Sequence, residues 1–73
     1  MADEESGGVV VDGFLEYEDV PYVRSGARVF RMRFKKDASR GYILEPLRNS
    51  SGLASDVALK GSSIAEGEAK ALL

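Results

Sequence analysis

The sequence predicts an α+β fold: a four-stranded antiparallel β-sheet followed by a C-terminal helix. In the middle of the chain, Phe30, Met32 and Phe34 alternate strictly with basic residues, which is the pattern of a strand with one apolar face. Near the end, Ser63 and Glu66 have the spacing of a capping box, and apolar residues follow at helical intervals. A small barrel of OB type is the alternative fold.

Four segments have the composition and alternation of strands: residues 9–18, 27–36, 40–47 and 55–60. We expect the first strand to end before Pro21, because proline cannot donate a hydrogen bond to a β-ladder. The polar run from Lys36 to Ser39 is typical of a hairpin turn. The predicted helix begins at Ser63, which would cap it, and its apolar stripe contains Ala69 and Leu72.

The length of 73 residues allows one small domain with a thin core. We expect a disordered acidic tail at residues 1–8 and one β-rich domain at residues 9–73. The chain contains no Cys and no His, which excludes disulfides, zinc sites of the usual kind and thiol or imidazole catalysis. A chain this small that lacks disulfides and metal sites often needs a partner subunit for stability, and we therefore expect a homodimer.

The N-terminus lacks the basic start and apolar stretch of a signal peptide, and no apolar run is long enough to span a membrane. We therefore expect a soluble intracellular protein, cytoplasmic or associated with the nucleoid or nucleus, that makes no membrane contact.

Charge is segregated along the chain, although the formal net charge is only -2. Residues 1–19 contain seven acidic and no basic residues, whereas residues 20–48 contain eight basic and two acidic residues. Local patches of this kind govern the binding of charged partners. This segregation is compatible with two arrangements. In the first, the acidic first strand lies beside the basic second strand and neutralises its charge. In the second, the basic face is free to bind an anionic partner.

The basic residues of the second strand form the candidate binding site. Arg31, Arg33 and Lys35 share one face at intervals of about 7 Å, a spacing compatible with the phosphates of a nucleic-acid strand. If Arg40 and Tyr42 point the same way, they add a cation and a stacking platform worth about 1–3 kcal/mol per base. Packing in the core is the alternative role for Tyr42. The candidate nucleic-acid-binding residues are Arg28, Arg31, Arg33, Lys35, Arg40 and Tyr42.

Two segments, ARVFRMRFKKDASRGYILEPL and DVALKGSSIAEGEAKALL, together have a recognisable order of elements. That order is strand, turn, Arg-Gly-aromatic strand, loop, short strand and amphipathic helix. This layout resembles a single repeat of the PUR proteins, which bind single-stranded DNA and RNA. Its end also resembles the Whirly proteins and the related positive-cofactor transcription coactivators. The resemblance covers about two-thirds of the chain, residues 27–73, and the sequence departs from it at Glu45 and in the acidic first strand. It implies a four-stranded antiparallel sheet with a helix on one side and two such units combined, here as a homodimer.

We therefore expect a module that binds single-stranded DNA or RNA, without catalytic residues, metal or cofactor. The alternative is a protein-interaction or assembly module that accepts a partner strand at an exposed sheet edge, which the acidic first strand and the low pI favour. An enzyme is the third class. Without His or Cys, catalysis would need a Ser–Lys or paired-carboxylate arrangement, and the capping role already explains Ser63.

Overall fold

The computed structural model describes residues 9–47 and 52–73, which form five β-strands and two short α-helices. The strands are β1 (Gly13–Tyr17), β2 (Val20–Ser25), β3 (Arg28–Phe34), β4 (Tyr42–Pro46) and β5 (Ser62–Ile64). The helices are α1 (Leu53–Lys60) and α2 (Glu66–Ala71). The strands form one antiparallel sheet in the order β4-β3-β2-β1-β5. The predicted tail at residues 1–8 lies outside the described residues.

The predicted α+β class, with an antiparallel sheet and a helix at the C-terminal end, is confirmed. The sheet is open, because β4 and β5 are its two edges and do not pair with each other, so the alternative barrel does not form. The strand count differs from the prediction: the described part of the chain has five strands instead of four. Three segments account for the difference: Val20–Ser25 and Ser62–Ile64 are additional strands, and the segment around Val57 is helical.

The first strand ends before Pro21, as predicted, but the segment around Pro21 is itself a strand of the sheet, which was not predicted. A tight turn at Glu18 and Asp19, which have φ angles of 53° and 66°, leads directly from β1 into β2. Positive φ at both central residues matches the right-handed twist of a two-residue hairpin. Pro21 is tolerated because it lies opposite Glu16 of β1, whereas the ladder between β2 and β3 extends only as far as Tyr22.

The segment at residues 55–60, predicted as a fourth strand, belongs to α1. Strand alternation would bury Val57 and Leu59 together, but Val57 is fully buried and Leu59 is 82 % exposed. Leu53 and Ala54 instead pack with Val57 at helical spacing. Gly61 then leads into β5, and a side chain there would collide with the carbonyl oxygen of Val57.

The last helix begins later than predicted. Ser63, expected to cap it, lies in β5 opposite Leu15 of β1. Helix α2 follows Ala65, whose backbone N–H donates to the Glu68 carboxylate at 2.9 Å. Alanine offers no side-chain acceptor, so only this half of a capping box forms. The helical spacing of apolar residues thus predicted the helix correctly. Its start was predicted too early because Ser63 has the residue type and spacing of a helix cap.

The two helices cover opposite faces of the sheet. On the α2 face, Ala69 packs against a buried cluster that comprises Val23, Phe30, Met32, Tyr42 and Leu44. On the α1 face, Val57 packs against Leu15, Tyr22 and Val29. A helix on one side only was expected from the resemblance, whereas here both faces carry core residues. The α1 face is covered near the start of β3 and open towards the end of that strand.

Candidate nucleic-acid interface

The basic row, defined as Arg31, Arg33 and Lys35, lies on the uncovered part of the α1 face. Val29, on the same side of β3, is buried under α1, but the two arginines beyond it are exposed. The N–H of Lys35 donates to the carbonyl of Gly41 at 3.0 Å and extends the β3–β4 ladder by one residue. Strand alternation therefore continues to Lys35, and the three cations share one side of the strand.

The acidic first strand does not lie beside the basic row. Strand β2 separates β1 from β3, so cross-strand pairing between the two is impossible. The acid that meets the row comes instead from β4: Arg33 Nη1 lies 2.7 Å from Glu45 Oε2, with both side chains partly exposed. Arg31 and Lys35 make no ion pair with any residue in the described ranges. The row therefore keeps two uncompensated cations.

Tyr22 forms the boundary between the part of this face covered by α1 and the basic row. It is buried and stands opposite Arg31 in the β2–β3 register. Burial raises the pKa of its phenol above the ordinary value, while the nearby Arg31 guanidinium acts against that rise and Glu18 adds to it. At physiological pH the phenol of Tyr22 is therefore uncharged, and it is an uncharged neighbour of Arg31.

The other predicted site residues lie elsewhere. Arg28 is on the α2 face, where its guanidinium lies 5.4 Å from the centre of the Phe30 ring. Arg40 is exposed in the turn between β3 and β4. Tyr42 is buried on the α2 face and donates its hydroxyl proton to Glu66 at 3.1 Å. Burial raises the pKa of that hydroxyl; Glu66 adds to the rise and Arg40 opposes it. Tyr42 thus has the alternative role, packing in the core.

A cleft opens where β2 and β3 separate. Their ladder ends at the pair Tyr22 and Arg31, and beyond it the start of β2 diverges from the end of β3. The space between them has a volume of about 390 Å³. Its walls are residues 19–21 on one side, residues 31–34 with Glu45 on the other, and Leu72 and Leu73 beyond α2. We call this space the β2–β3 cleft. The arginines of the basic row therefore line a cavity as well as a surface.

Phe34 is the residue of this site that sequence reasoning missed. Its alternation with Phe30 and Met32 predicted one continuous apolar face, but those two are buried while Phe34 is 66 % exposed. It lies at the end of β3, past the last residue paired with β2, so only β4 flanks it. The signal in the sequence is its position between Arg33 and Lys35, at the entry to a polar turn. By strand alternation its ring lies on the α2 side of β3, opposite to Arg33 and Lys35, but Arg33 and Phe34 both line the β2–β3 cleft. An exposed aromatic that shares a cleft with a cation can serve as a stacking platform for a base.

Comparison of the chain with protein-family models, with curated proteins and with solved structures finds no match. Within residues 9–47 and 52–73, neither α1 nor α2 has the length and apolar character needed to cross a membrane.

Proposed function

We propose that this chain is a non-enzymatic module that binds single-stranded DNA or RNA through the basic row. One observation carries the proposal: Arg31 and Lys35 are exposed and free of ion pairs with the described residues, beside a cleft that contains an exposed aromatic. Cations that track a phosphate backbone next to an aromatic ring are the usual elements of single-strand binding. The resemblance to a PUR-type repeat supports the same function.

The salt dependence of binding tests this proposal. Each phosphate neutralised on a single strand contributes about 0.7 to the slope of log affinity against log salt, so three contacts predict a slope of about −2. We expect the Kd for a fluorescein-labelled single-stranded oligonucleotide to rise about 15-fold between 50 and 200 mM salt, as that slope requires. Fluorescence anisotropy with DNA and RNA strands of equal length gives the measurement. Absence of binding at 50 mM salt would rule out the proposal.

Glu45 neutralises part of the positive charge of the basic row, so removal of its charge should strengthen oligonucleotide binding. The variant Glu45→Gln removes a negative charge beside Arg33 and frees that guanidinium for a phosphate. A charge at about 7 Å in water is worth about 0.6 kcal/mol, so we expect about threefold tighter binding in the same titration. The lost surface ion pair should cost less than about 1 kcal/mol of stability.

Asp56→Asn is the matched control, because it makes the same change of charge at an exposed position of α1 that does not line the β2–β3 cleft. It should leave the affinity nearly unchanged. If Asp56→Asn tightened binding as much as Glu45→Gln, the effect would reflect net charge, and a specific role of the basic row would be contradicted.

A protein-interaction module is the second candidate function, and the edge strand β4 favours it. Among the described strands, β4 pairs only with β3, so its outer edge presents backbone groups that another strand could meet. The partner would be a different protein or a second copy of this chain, as in the homodimer expected from the sequence. Sedimentation equilibrium distinguishes these cases: a dimer mass supports the second copy, and a monomer that binds no oligonucleotide supports a different protein.

A further inference from the structure

We propose that the β2–β3 cleft receives one unstacked base of the bound strand, which stacks on Phe34 while the neighbouring phosphates lie along the basic row. This inference rests on the proposed function and deepens it: it assigns a base-stacking residue and restricts tight binding to strands whose bases are unpaired.

The cleft is a persistent feature of the sheet, because the chain cannot close it by continuing the ladder. Pro21 has no N–H to donate across the gap, and β2 turns back at Asp19 after only one further residue. A volume of about 390 Å³ falls in the range of small-ligand sites, about 300–1,000 Å³. A single base fits such a space, whereas a stacked base pair in a duplex cannot enter it.

The walls of the cleft match the chemistry of a base. Phe34 offers an exposed aromatic ring, and Leu72 and Leu73 add partly exposed aliphatic surface. A large exposed aromatic next to aliphatic side chains is unfavourable in water unless something covers it. Every nucleobase has a flat π-face that stacks on such a ring without dependence on sequence.

The charges around the cleft separate the phosphates from the base. Arg31 and Arg33 outnumber Glu45 on the β3 wall, whereas Asp19 lines the β2 wall and has no ion-pair partner among the described residues. A phosphate is attracted to the first wall and repelled from the second. The backbone of the strand therefore follows the basic row on one side of β3, and the uncharged base enters between the walls towards Phe34 on the other side.

A second copy of the chain fits the cleft less well than a nucleic acid does. Residues 28–47, which contain β3, β4 and their turn, carry six basic and two acidic residues. A symmetric contact through this face would bring the same positive surface of two copies together, which costs electrostatic energy. An anionic strand has the complementary charge.

An abasic strand separates base binding from phosphate binding. We would compare a labelled oligothymidylate with an abasic deoxyribose–phosphate strand of equal length, using the wild type, Phe34→Ala and Phe34→Tyr. Phe34→Ala should weaken oligothymidylate binding about 10-fold and leave the abasic strand unaffected, while Phe34→Tyr should keep wild-type affinity for both. Leu59→Ala is the matched control, because Leu59 is an exposed apolar residue on α1 outside the cleft.

The outcomes distinguish the two proposals. If the abasic strand bound as tightly as oligothymidylate and Phe34→Ala changed neither affinity, base insertion would be overturned while phosphate binding stood. If neither strand bound the wild type at low salt, both proposals would fall. If Phe34→Ala weakened both strands equally, or if it dissolved a dimer seen by sedimentation, Phe34 would belong to another contact and base insertion would again be overturned.

Discussion

Replacing Arg31, Arg33 and Lys35 together by glutamine should abolish oligonucleotide binding and leave the fold intact. The three side chains are exposed, and the substitution breaks one ion pair, that of Arg33 with Glu45. An exposed pair is worth less than about 1 kcal/mol, so the free energy of unfolding should change little. Each lost phosphate contact is worth about 1 kcal/mol at close range in water, which predicts a loss of affinity of at least about 100-fold.

The measurement is the anisotropy titration at low salt, with circular dichroism and urea unfolding to verify the fold. The matched control removes three exposed cations elsewhere, through Arg24→Gln, Lys60→Gln and Lys70→Gln. This control changes the net charge by the same amount and should keep most of the affinity. Equal losses in the two triple variants would show that binding follows net charge, and unchanged affinity in the first would remove the basic row from the function.

Leu44→Ala should cause a large loss of stability. Leu44 is fully buried on the α2 face, where it packs with Met32 and Tyr42. Truncation of such a leucine costs about 2–5 kcal/mol. A chain of this length has a total stability of about 4–11 kcal/mol at the usual value per residue, so the variant should lose a large fraction of it.

Urea unfolding monitored by circular dichroism measures this loss. Leu59→Ala, at an 82 % exposed position on α1, is the control and should change the free energy of unfolding by less than about 0.5 kcal/mol. A Leu44→Ala protein as stable as the wild type would contradict the close packing of Leu44 in the core on the α2 face.

The sequence predicted the elements in which periodicity is unambiguous. Strands β1 and β3 were predicted from alternation, β4 from a run of apolar residues and helix α2 from helical spacing, and the structure contains all four. Helix α1 was missed because Val57 and Leu59 fit a short strand as well as a helix, and only packing against Leu15 and Val29 decides between them. Strand β2 was missed because a proline usually indicates the end of a strand, unless its position in the ladder is known.

Strand alternation also determines which site residues could be predicted. Alternation placed Arg31, Arg33 and Lys35 on one face, and it also places Arg28 with Phe30 on the other. The face of Tyr42 depends on its register opposite Phe34, which the sequence does not specify. The exposure of Phe34 depends on where β2 and α2 end in space, and its position at the entry to a polar turn is only a weak local signal of that exposure.

The position of β5 at the edge beside β1 has a consequence for the order of folding. Strands β1 to β4 form a meander in which each strand pairs with its neighbour in sequence, but Phe14 of β1 pairs with Ile64 of β5, fifty residues later in the chain. The meander can therefore assemble first, while the segments that cover its two faces arrive last. A nascent chain that stops before Leu53 presents apolar surface on both sides of a sheet and is prone to aggregate until the remaining residues emerge.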